Sequence, residues 1–363
     1  MTDVFRELNA LLRERRVDSC SPDASCSSPP ARPCSLRSQP QVPRPPLAVP
    51  LCPSDFRGRP GRFRSVRRSC TWSIRTATTR TCRSWGRRPV VVFSPGFGVP
   101  RGLASISVAE LAGRGYVVVT VDHTYEVAGV EFPGGRLEVQ TLPEGSYALM
   151  ARAARLADLR FVLDAVTKLA HGQNPDAEHR HLPAGLGEIL DLRRVGAYGH
   201  SAGGLSSIDL LDVDRRVRAA INLDGPLGYG YDDPADAPTV AHGTDRPFLL
   251  MGSAKSGPFG PMTHRDEPSW GLFWDHSTGW KRDLNLPNGR HYSFIDHQAL
   301  VPWFQRFFTV PPELIETAVG TANPAKVLFA LRTYLPAFFD QHLRDRPNHA
   351  LWRRALPETK IID

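Results

Sequence analysis

The stretch "YGHSAGG" at residues 198–204 contains the pattern that decides the fold. The apolar residues "VGAY" (195–198) lead into it, and "GGLSSIDLL" (203–211) leaves it with helical character. Gly199 and Gly203 flank Ser201, and their small size leaves room for a sharp turn from a strand into a helix. A serine at the apex of such a turn points its side chain outward. The pattern therefore predicts a nucleophile elbow at Ser201.

Short apolar runs alternate with helical segments on both sides of this turn. The expected strands are 89–94, 116–123, 195–198, 217–224 and 246–253, and the expected helices are 104–115, 149–170, 203–211 and 326–344. This alternation is typical of an α/β fold with a mostly parallel twisted sheet and helices on both faces. We expect one catalytic domain over residues 89–363. Its functional residues should lie at the carboxyl ends of the strands.

Residues 1–88 differ sharply in composition from the rest of the chain. They contain 18 Arg, no Lys and 6 acidic residues, so their net charge is +12. The whole chain has a net charge of +8, so residues 89–363 have a net charge of −4. Rich in Pro, Arg, Ser and Cys, this region is expected to be mostly disordered. The expected exceptions are a short helix at 4–16 and a weak strand in "CTWSIRT" (70–76). Without Lys or interleaved aromatic residues, a nucleic-acid partner is not expected.

A second hypothesis for the N-terminal region concerns its reading frame. The chain uses 40 Arg against 5 Lys, which is typical of a GC-rich genome. When such DNA is translated in a wrong reading frame, the resulting amino-acid sequence is rich in Arg, Pro, Ser and Cys. Translating the other frames upstream of Pro89 tests this hypothesis.

All six cysteines lie before residue 83, and their spacings match no zinc motif. The chain has no stretch of about 18 apolar residues and no apolar signal-peptide core, so the expectation is a cytoplasmic protein, with secretion as the alternative. No metal is expected, because the histidines lack a repeated ligand spacing. No cofactor is expected either, since "GFGVPRG" has Arg101 where a dinucleotide turn needs its third glycine.

A serine nucleophile needs a base and an acid, which follow it in the chain in this fold class. Asp224 ends the strand "AAINLD" before a Gly-Pro turn, which makes it the first candidate for the acid. Asp266, Glu267 and Asp275, after the next strand, remain open as alternatives.

His291 is the first candidate for the base, because it follows a short strand, "RDLNL", and an Asn-Gly turn. His297 is the alternative. His123 and His200 precede the serine, and we interpret both as packing or turn residues. The oxyanion of the reaction needs two backbone N–H donors. The expected donors are Ala202, directly after the nucleophile, and Phe97 in "SPGFG".

Several segments together resemble the plasma-type platelet-activating factor acetylhydrolases and their bacterial esterase and lipase relatives. The segments are "PVVVFSPGFGVPR", "GRGYVVVTVDHTYE", "RLADLRFVLD", "GAYGHSAGG", "INLDG" and "RHYSFIDH". The resemblance covers about residues 88–355 and implies an α/β-hydrolase fold. It implies Asp224 as the acid, His291 as the base and Phe97 as an oxyanion donor. That family has two or more strands before "PVVVFS", and their loss would leave the strand at 116–123 as an exposed edge.

The sequence thus predicts a serine carboxylic-ester hydrolase that acts on a small ester or a short-acyl lipid through Ser201, Asp224 and His291. An acyltransferase with the same triad and a non-catalytic binding protein of the same fold are the alternatives. Aromatic residues are frequent between 270 and 308, and two uses are open for them: an acyl pocket or lid, and ordinary core.

Overall fold

The first strand that the structure describes begins at Cys70, in the segment where the sequence predicts a weak strand. The computed structural model describes residues 70–75, 86–141, 148–228, 238–257, 260–348, 351 and 355–363. All of them lie in the unit formed by residues 46–363. The expected helix at 4–16 and most of the region expected to be disordered lie outside the described residues.

Within the described part of the chain, eight strands form one sheet in the order β1-β3-β2-β6-β7-β8-β9-β10, and β4 and β5 form a small separate hairpin. The six inner strands are parallel, and the two outer strands are antiparallel to their neighbours. The strands are β1 (Cys70–Arg75), β2 (Arg88–Ser94), β3 (Val117–His123), β4 (Gly129–Glu131), β5 (Leu137–Val139), β6 (Leu190–His200), β7 (Val217–Leu223), β8 (Phe248–Ser253), β9 (Lys281–Leu286) and β10 (Lys360–Ile362).

Helices lie between the strands along the chain. In the described ranges these are α1 (Ser105–Gly113), α2 (Ala148–Ala170), α3 (Ala202–Val213), α4 (Pro238–His242), α5 (Pro268–His276), α6 (His297–Phe304), α7 (Pro312–Val319) and α8 (Pro324–Arg344). Single-turn 3-10 helices occur at Arg101–Ala104, Pro133–Gly135 and His291–Phe294. The mostly parallel sheet with alternating helices confirms the predicted fold class.

Alternate residues of each inner strand enter opposite cores, as the two-residue period of a strand requires. In β2, Val90 and Val92 pack into a core that contains residues of α2, α3 and α5. Val91 and Phe93 pack into the core on the other side, which contains residues of α1 and α8. Both faces of the sheet are therefore covered, which explains why these strands are almost continuously apolar.

The strand at 116–123 is not the exposed edge that the sequence suggested. Residues 70–75 form β1, which pairs antiparallel with β3 from Cys70 opposite His123 to Arg75 opposite Val118. The weak strand expected at 70–76 is confirmed as β1, and it covers the edge that the loss of the preceding strands was expected to expose. The boundary at residue 89 stays a prediction, but both β1 and the first residue of β2 lie upstream of it.

A long-range contact ties the segment after β9 to the start of α1. Ala104 has no side chain that can cap this helix. Instead, the Asp296 carboxylate accepts hydrogen bonds from the amides of Ser105 (2.7 Å) and Ile106 (3.2 Å). A carboxylate at this position accepts hydrogen bonds from amides that have no partner within the helix, and its negative charge interacts favourably with the positive end of the helix dipole. Burial raises the pKa of Asp296, while these hydrogen bonds act in the opposite direction.

Candidate active site

Ser201 lies between the end of β6 and the start of α3, as predicted for the elbow. Its backbone has φ +56° and ψ −126°, a conformation that costs a non-glycine residue about 1–3 kcal/mol. The Ser201 amide donates to the carbonyl of Leu223 (2.8 Å), which joins the elbow to the end of β7. A Cβ at Gly203 would lie 1.9 Å from the carbonyl oxygen of Ser94. The motif glycines are therefore required by the close approach of backbone.

Asp224 and His291 meet beside this elbow. Nδ1 of His291 lies 2.7 Å from Oδ2 of Asp224, and Oδ1 of Asp224 accepts from the Ser253 amide (2.6 Å). The Asp224 side chain is fully buried, so its carboxylate depends on these donors for its stabilisation. A carboxylate on Nδ1 favours the tautomer with its proton there, which leaves Nε2 as an acceptor.

The elbow and this pair are held together by backbone contacts. A Cβ at Gly225, the residue after Asp224, would lie 2.1 Å from the carbonyl oxygen of Ser201. Nε2 of His200, the residue before Ser201, donates to the carbonyl of His291 (2.7 Å). The structure therefore brings Ser201, Asp224 and His291 to one place at the carboxyl edge of the sheet.

The three alternative acids lie in or directly before α5, where two of them accept local hydrogen bonds. Oδ2 of Asp266 accepts from the Thr263 hydroxyl (2.5 Å). Glu267 caps α5 by accepting from the Trp270 amide (2.7 Å), and Asp275 is exposed on the same helix. The alternative base, His297, begins α6 and stacks on Tyr292, and burial lowers its pKa to about 4.

The sequence analysis missed Ser256 and interpreted His200 only as a packing or turn residue. Oγ of Ser256 lies 2.9 Å from Nδ1 of His291, so that nitrogen faces two oxygens. Ser256 follows β8 by three residues, and its position past a strand end was the available signal. His200 does more than pack, because it bonds to the backbone of His291. Burial and the nearby His291 ring hold the pKa of His200 well below its usual range, so the ring stays neutral.

The segment Pro95–Gly98, here named the oxyanion loop, lies against the elbow. A Cβ at Gly96 would lie 3.2 Å from Cβ of Ser201. The Val99 amide donates to the Gly96 carbonyl (3.1 Å), and Gly98 has φ +73°, so Phe97 lies within a tight turn. On the other side of Ser201, Ala202 is the first residue of α3, where backbone amides have no partner within the helix. Phe97 and Ala202 thus lie on the two segments that meet at Ser201, and their role as oxyanion donors stays a prediction.

The aromatic residues between 270 and 308, for which the sequence left a pocket or lid and ordinary core open, lie in two environments. Trp270, Phe273 and Phe294 are buried in the cores. Trp303, Phe307 and Phe308 are exposed at the end of α6 and beyond it.

In the described ranges, no group of three or more His, Cys, Asp or Glu side chains could hold a metal ion. None of the described helices combines the length and apolar character that crossing a bilayer requires.

Comparisons with known proteins agree with this geometry. A family model described as platelet-activating factor acetylhydrolase, isoform II, matches residues 63–133, which include β1. A probable 1-alkyl-2-acetylglycerophosphocholine esterase of Arthroderma benhamiae is 28% identical over 262 residues, which cover 69% of this chain and 59% of the relative. A platelet-activating factor acetylhydrolase of Gallus gallus is 27% identical over 198 residues, which cover 46% of this chain and 44% of the relative. The chain thus spans three-fifths or less of the length of these curated relatives.

A solved structure is similar over most of its length. The ferulic acid esterase of Streptomyces cinnamoneus superimposes with a TM-score of 0.62 at 33% identity, covering 82% of this chain and 89% of that one. The resemblance seen in the sequence motifs is confirmed by these relatives. The chain belongs to the α/β-hydrolase esterases that resemble platelet-activating factor acetylhydrolase.

Proposed function

We propose that this protein is a serine carboxylic-ester hydrolase whose nucleophile is Ser201. The observation that carries the proposal is the 2.7 Å contact between His291 and the fully buried Asp224, beside the strained elbow that presents Ser201. A buried carboxylate on Nδ1 orients the imidazole and stabilises the charge that it gains when Nε2 takes a proton.

The reaction follows from this arrangement in two halves. In the first, Oγ of Ser201 attacks the ester carbonyl while Nε2 of His291 takes the hydroxyl proton. The amides of Phe97 and Ala202 donate to the oxyanion that forms. The intermediate collapses, the C–O bond to the alcohol breaks, and His291 returns the proton to the departing oxygen. In the second half, water activated by His291 attacks the acyl-enzyme and releases the acid and Ser201.

The substrate class that we propose is a small ester or a short-acyl lipid. The named relatives support an ester, because one is called a 1-alkyl-2-acetylglycerophosphocholine esterase and another a ferulic acid esterase. The exposed rings of Trp303, Phe307 and Phe308, beyond the segment that carries His291, also suit a substrate with an apolar part. An acyltransferase would share every step up to the acyl-enzyme and differ only in its acceptor.

A panel of esters tests the proposed reaction. We expect hydrolysis of p-nitrophenyl acetate and of a 2-acetyl phospholipid to exceed that of octanoyl and palmitoyl esters, with methyl ferulate as a further arm. A fluorophosphonate should label the peptide that contains Ser201 and no other. Acyl transfer to added alcohol in preference to water would replace the hydrolase with a transferase. If neither labelling nor turnover occurs, the protein is a binding protein.

Replacing Asp224 with Asn tests the proposed acid. The amide keeps the shape of the side chain but favours the wrong tautomer of His291, so we expect turnover to fall roughly 10⁴-fold, as in the serine-protease triad. The matched controls Asp266→Asn, Glu267→Gln and Asp275→Asn should each lower turnover far less. The measurement is kcat on p-nitrophenyl acetate for all four variants. Loss of activity in one of these controls, with Asp224→Asn active, would move the acid to the segment after β8.

A further inference from the structure

A second chain of Ser, His and Asp lies beneath the oxyanion loop, and the proposed reaction does not use it. Ser94, the last residue of β2, places its Oγ 2.9 Å from Nε2 of His123. Nδ1 of that ring lies 3.0 Å from Oδ2 of Asp158 on α2. The exposed fractions of these residues are 0%, 1% and 5%. No substrate carbonyl can reach a serine that is enclosed in this way.

The protonation of this chain is set by its burial. Burial lowers the pKa of His123 to about 3, and the nearby Arg155 acts in the same direction, so the ring is neutral at physiological pH. Its Nδ1–H then donates to Asp158, and Nε2 accepts the Ser94 hydroxyl. The His123 ring is therefore anchored to Asp158 through Nδ1 and holds Ser94, the residue before the oxyanion loop, through Nε2.

A buried ion pair holds the next residue of the chain. Nη1 of Arg155 donates to the carbonyl of Pro95 (2.7 Å), and its Nε donates to Oε2 of Glu126 (2.8 Å). Arg155 is 2% exposed and Glu126 is 6% exposed. Desolvating two such charges costs several kcal/mol per ion unless they are well paired, so a buried pair is weak evidence for a role in stability alone. Its contact with a loop carbonyl points to positioning.

The loop start is also confined from the side of α3. A Cβ at Gly203 would lie 1.9 Å from the carbonyl oxygen of Ser94 and 2.5 Å from that of Pro95. Ser94 and Pro95 are therefore pressed against the elbow helix and are also held by the side chains of His123 and Arg155. The amide of Phe97 follows two residues later, so a displacement of the Pro95 carbonyl would displace that donor as well.

We propose that His123–Asp158 and Arg155–Glu126 are positioning residues that hold Ser94 and the Pro95 carbonyl, so that the Phe97 amide points at the ester oxyanion. The proposal rests on the proposed function, because it assumes that Ser201 is the nucleophile and that Phe97 is an oxyanion donor. Preorganised donors contribute most when they need no rearrangement during the reaction. The two pairs supply this fixed geometry through their contacts with Ser94 and the Pro95 carbonyl.

The test removes one pair as a unit, so that no buried charge is left alone. The double variant Arg155→Met/Glu126→Leu removes the contact with Pro95. The matched control Arg152→Met/Asp209→Leu removes another buried Arg–carboxylate pair, which joins the same helix to α3 (2.7 Å) and does not contact the oxyanion loop in any described hydrogen bond. Thermal unfolding of both variants compares their stability.

The decisive measurement is the ratio of kcat/KM for an ester to that for the matching thionoester. Sulfur accepts hydrogen bonds poorly, so a well-placed oxyanion hole favours the oxygen substrate. In the Arg155→Met/Glu126→Leu variant we expect kcat to fall about 10- to 100-fold, below the 10²–10³ that losing a whole donor costs, with KM little changed. The ratio should fall in parallel, while the midpoint of the pH–rate profile stays in place because His291 and Asp224 are untouched.

A smaller variant keeps the test decisive if the double variant does not fold. Ser94→Ala removes only the hydroxyl that meets His123, and it should lower kcat and the ester-to-thionoester ratio several-fold. The proposal is overturned if both measures stay at wild-type values in Ser94→Ala, or if the control pair lowers the ratio as much as the Arg155 pair. Labelling and ester hydrolysis by the wild type separate these outcomes from a failure of the proposed function, since that function fails if the wild type is not labelled at Ser201 or does not hydrolyse the ester.

Discussion

Ser201→Ala is expected to remove covalent labelling and to lower ester turnover by roughly 10⁴- to 10⁶-fold, because the members of a catalytic triad act as a unit. The residual rate over water should come from the oxyanion amides of Phe97 and Ala202, which the substitution leaves in place. The change deletes one oxygen at a partly accessible position, so the variant should unfold at close to the wild-type temperature. Mass spectrometry of fluorophosphonate-treated protein and kcat on p-nitrophenyl acetate provide the two measurements.

Ser207→Ala is a matched control for this prediction. Ser207 lies on α3, six residues after Ser201, and its hydroxyl donates to the Gly203 carbonyl (2.8 Å) inside the helix. Its removal should leave labelling and turnover near wild-type levels. Undiminished hydrolysis by Ser201→Ala, or labelling of another residue, would remove Ser201 from the mechanism.

His291→Ala is expected to lose several orders of magnitude in kcat, because the Ser201 hydroxyl then has no base and Asp224 no imidazole to orient. His297→Ala should keep most of the activity, since that ring stacks on Tyr292 and is kept neutral by burial. Added imidazole should restore part of the activity of His291→Ala. Such rescue reports a missing base and would not follow from a general loss of packing. The opposite ranking of the two variants would assign the base to His297.

The sequence predicted the fold class because local signals agree with one another. The apolar runs, the glycines around Ser201 and the strand that ends at Asp224 each follow from short-range rules. Those rules also brought Ser201, Asp224 and His291 to one edge of the sheet, since functional residues of parallel sheets lie at the carboxyl ends of strands. The roles of these residues remain predictions.

The features that the sequence did not reveal depend on contacts between distant segments. The pairing of β1 with β3 joins residues about fifty positions apart, and no local pattern specifies that partner. His200 and Ser256 reach His291 only after three strand ends have met. His123 resembles any buried histidine in sequence, because its partners Ser94 and Asp158 lie 29 and 35 residues away.

The cap that Asp296 provides for α1 has a consequence for biosynthesis. It joins residues 190 or more positions apart, and His291 lies 67 positions after its partner Asp224. A nascent chain that ends between residues 224 and 291 contains Ser201 and Asp224 but not the proposed base, and the amides at the start of α1 still lack their acceptor. Contacts of such sequence separation form late and slowly, because long loops must close first. On the proposed mechanism, the newly made protein therefore cannot cleave esters until His291 and Asp296 have left the ribosome and docked.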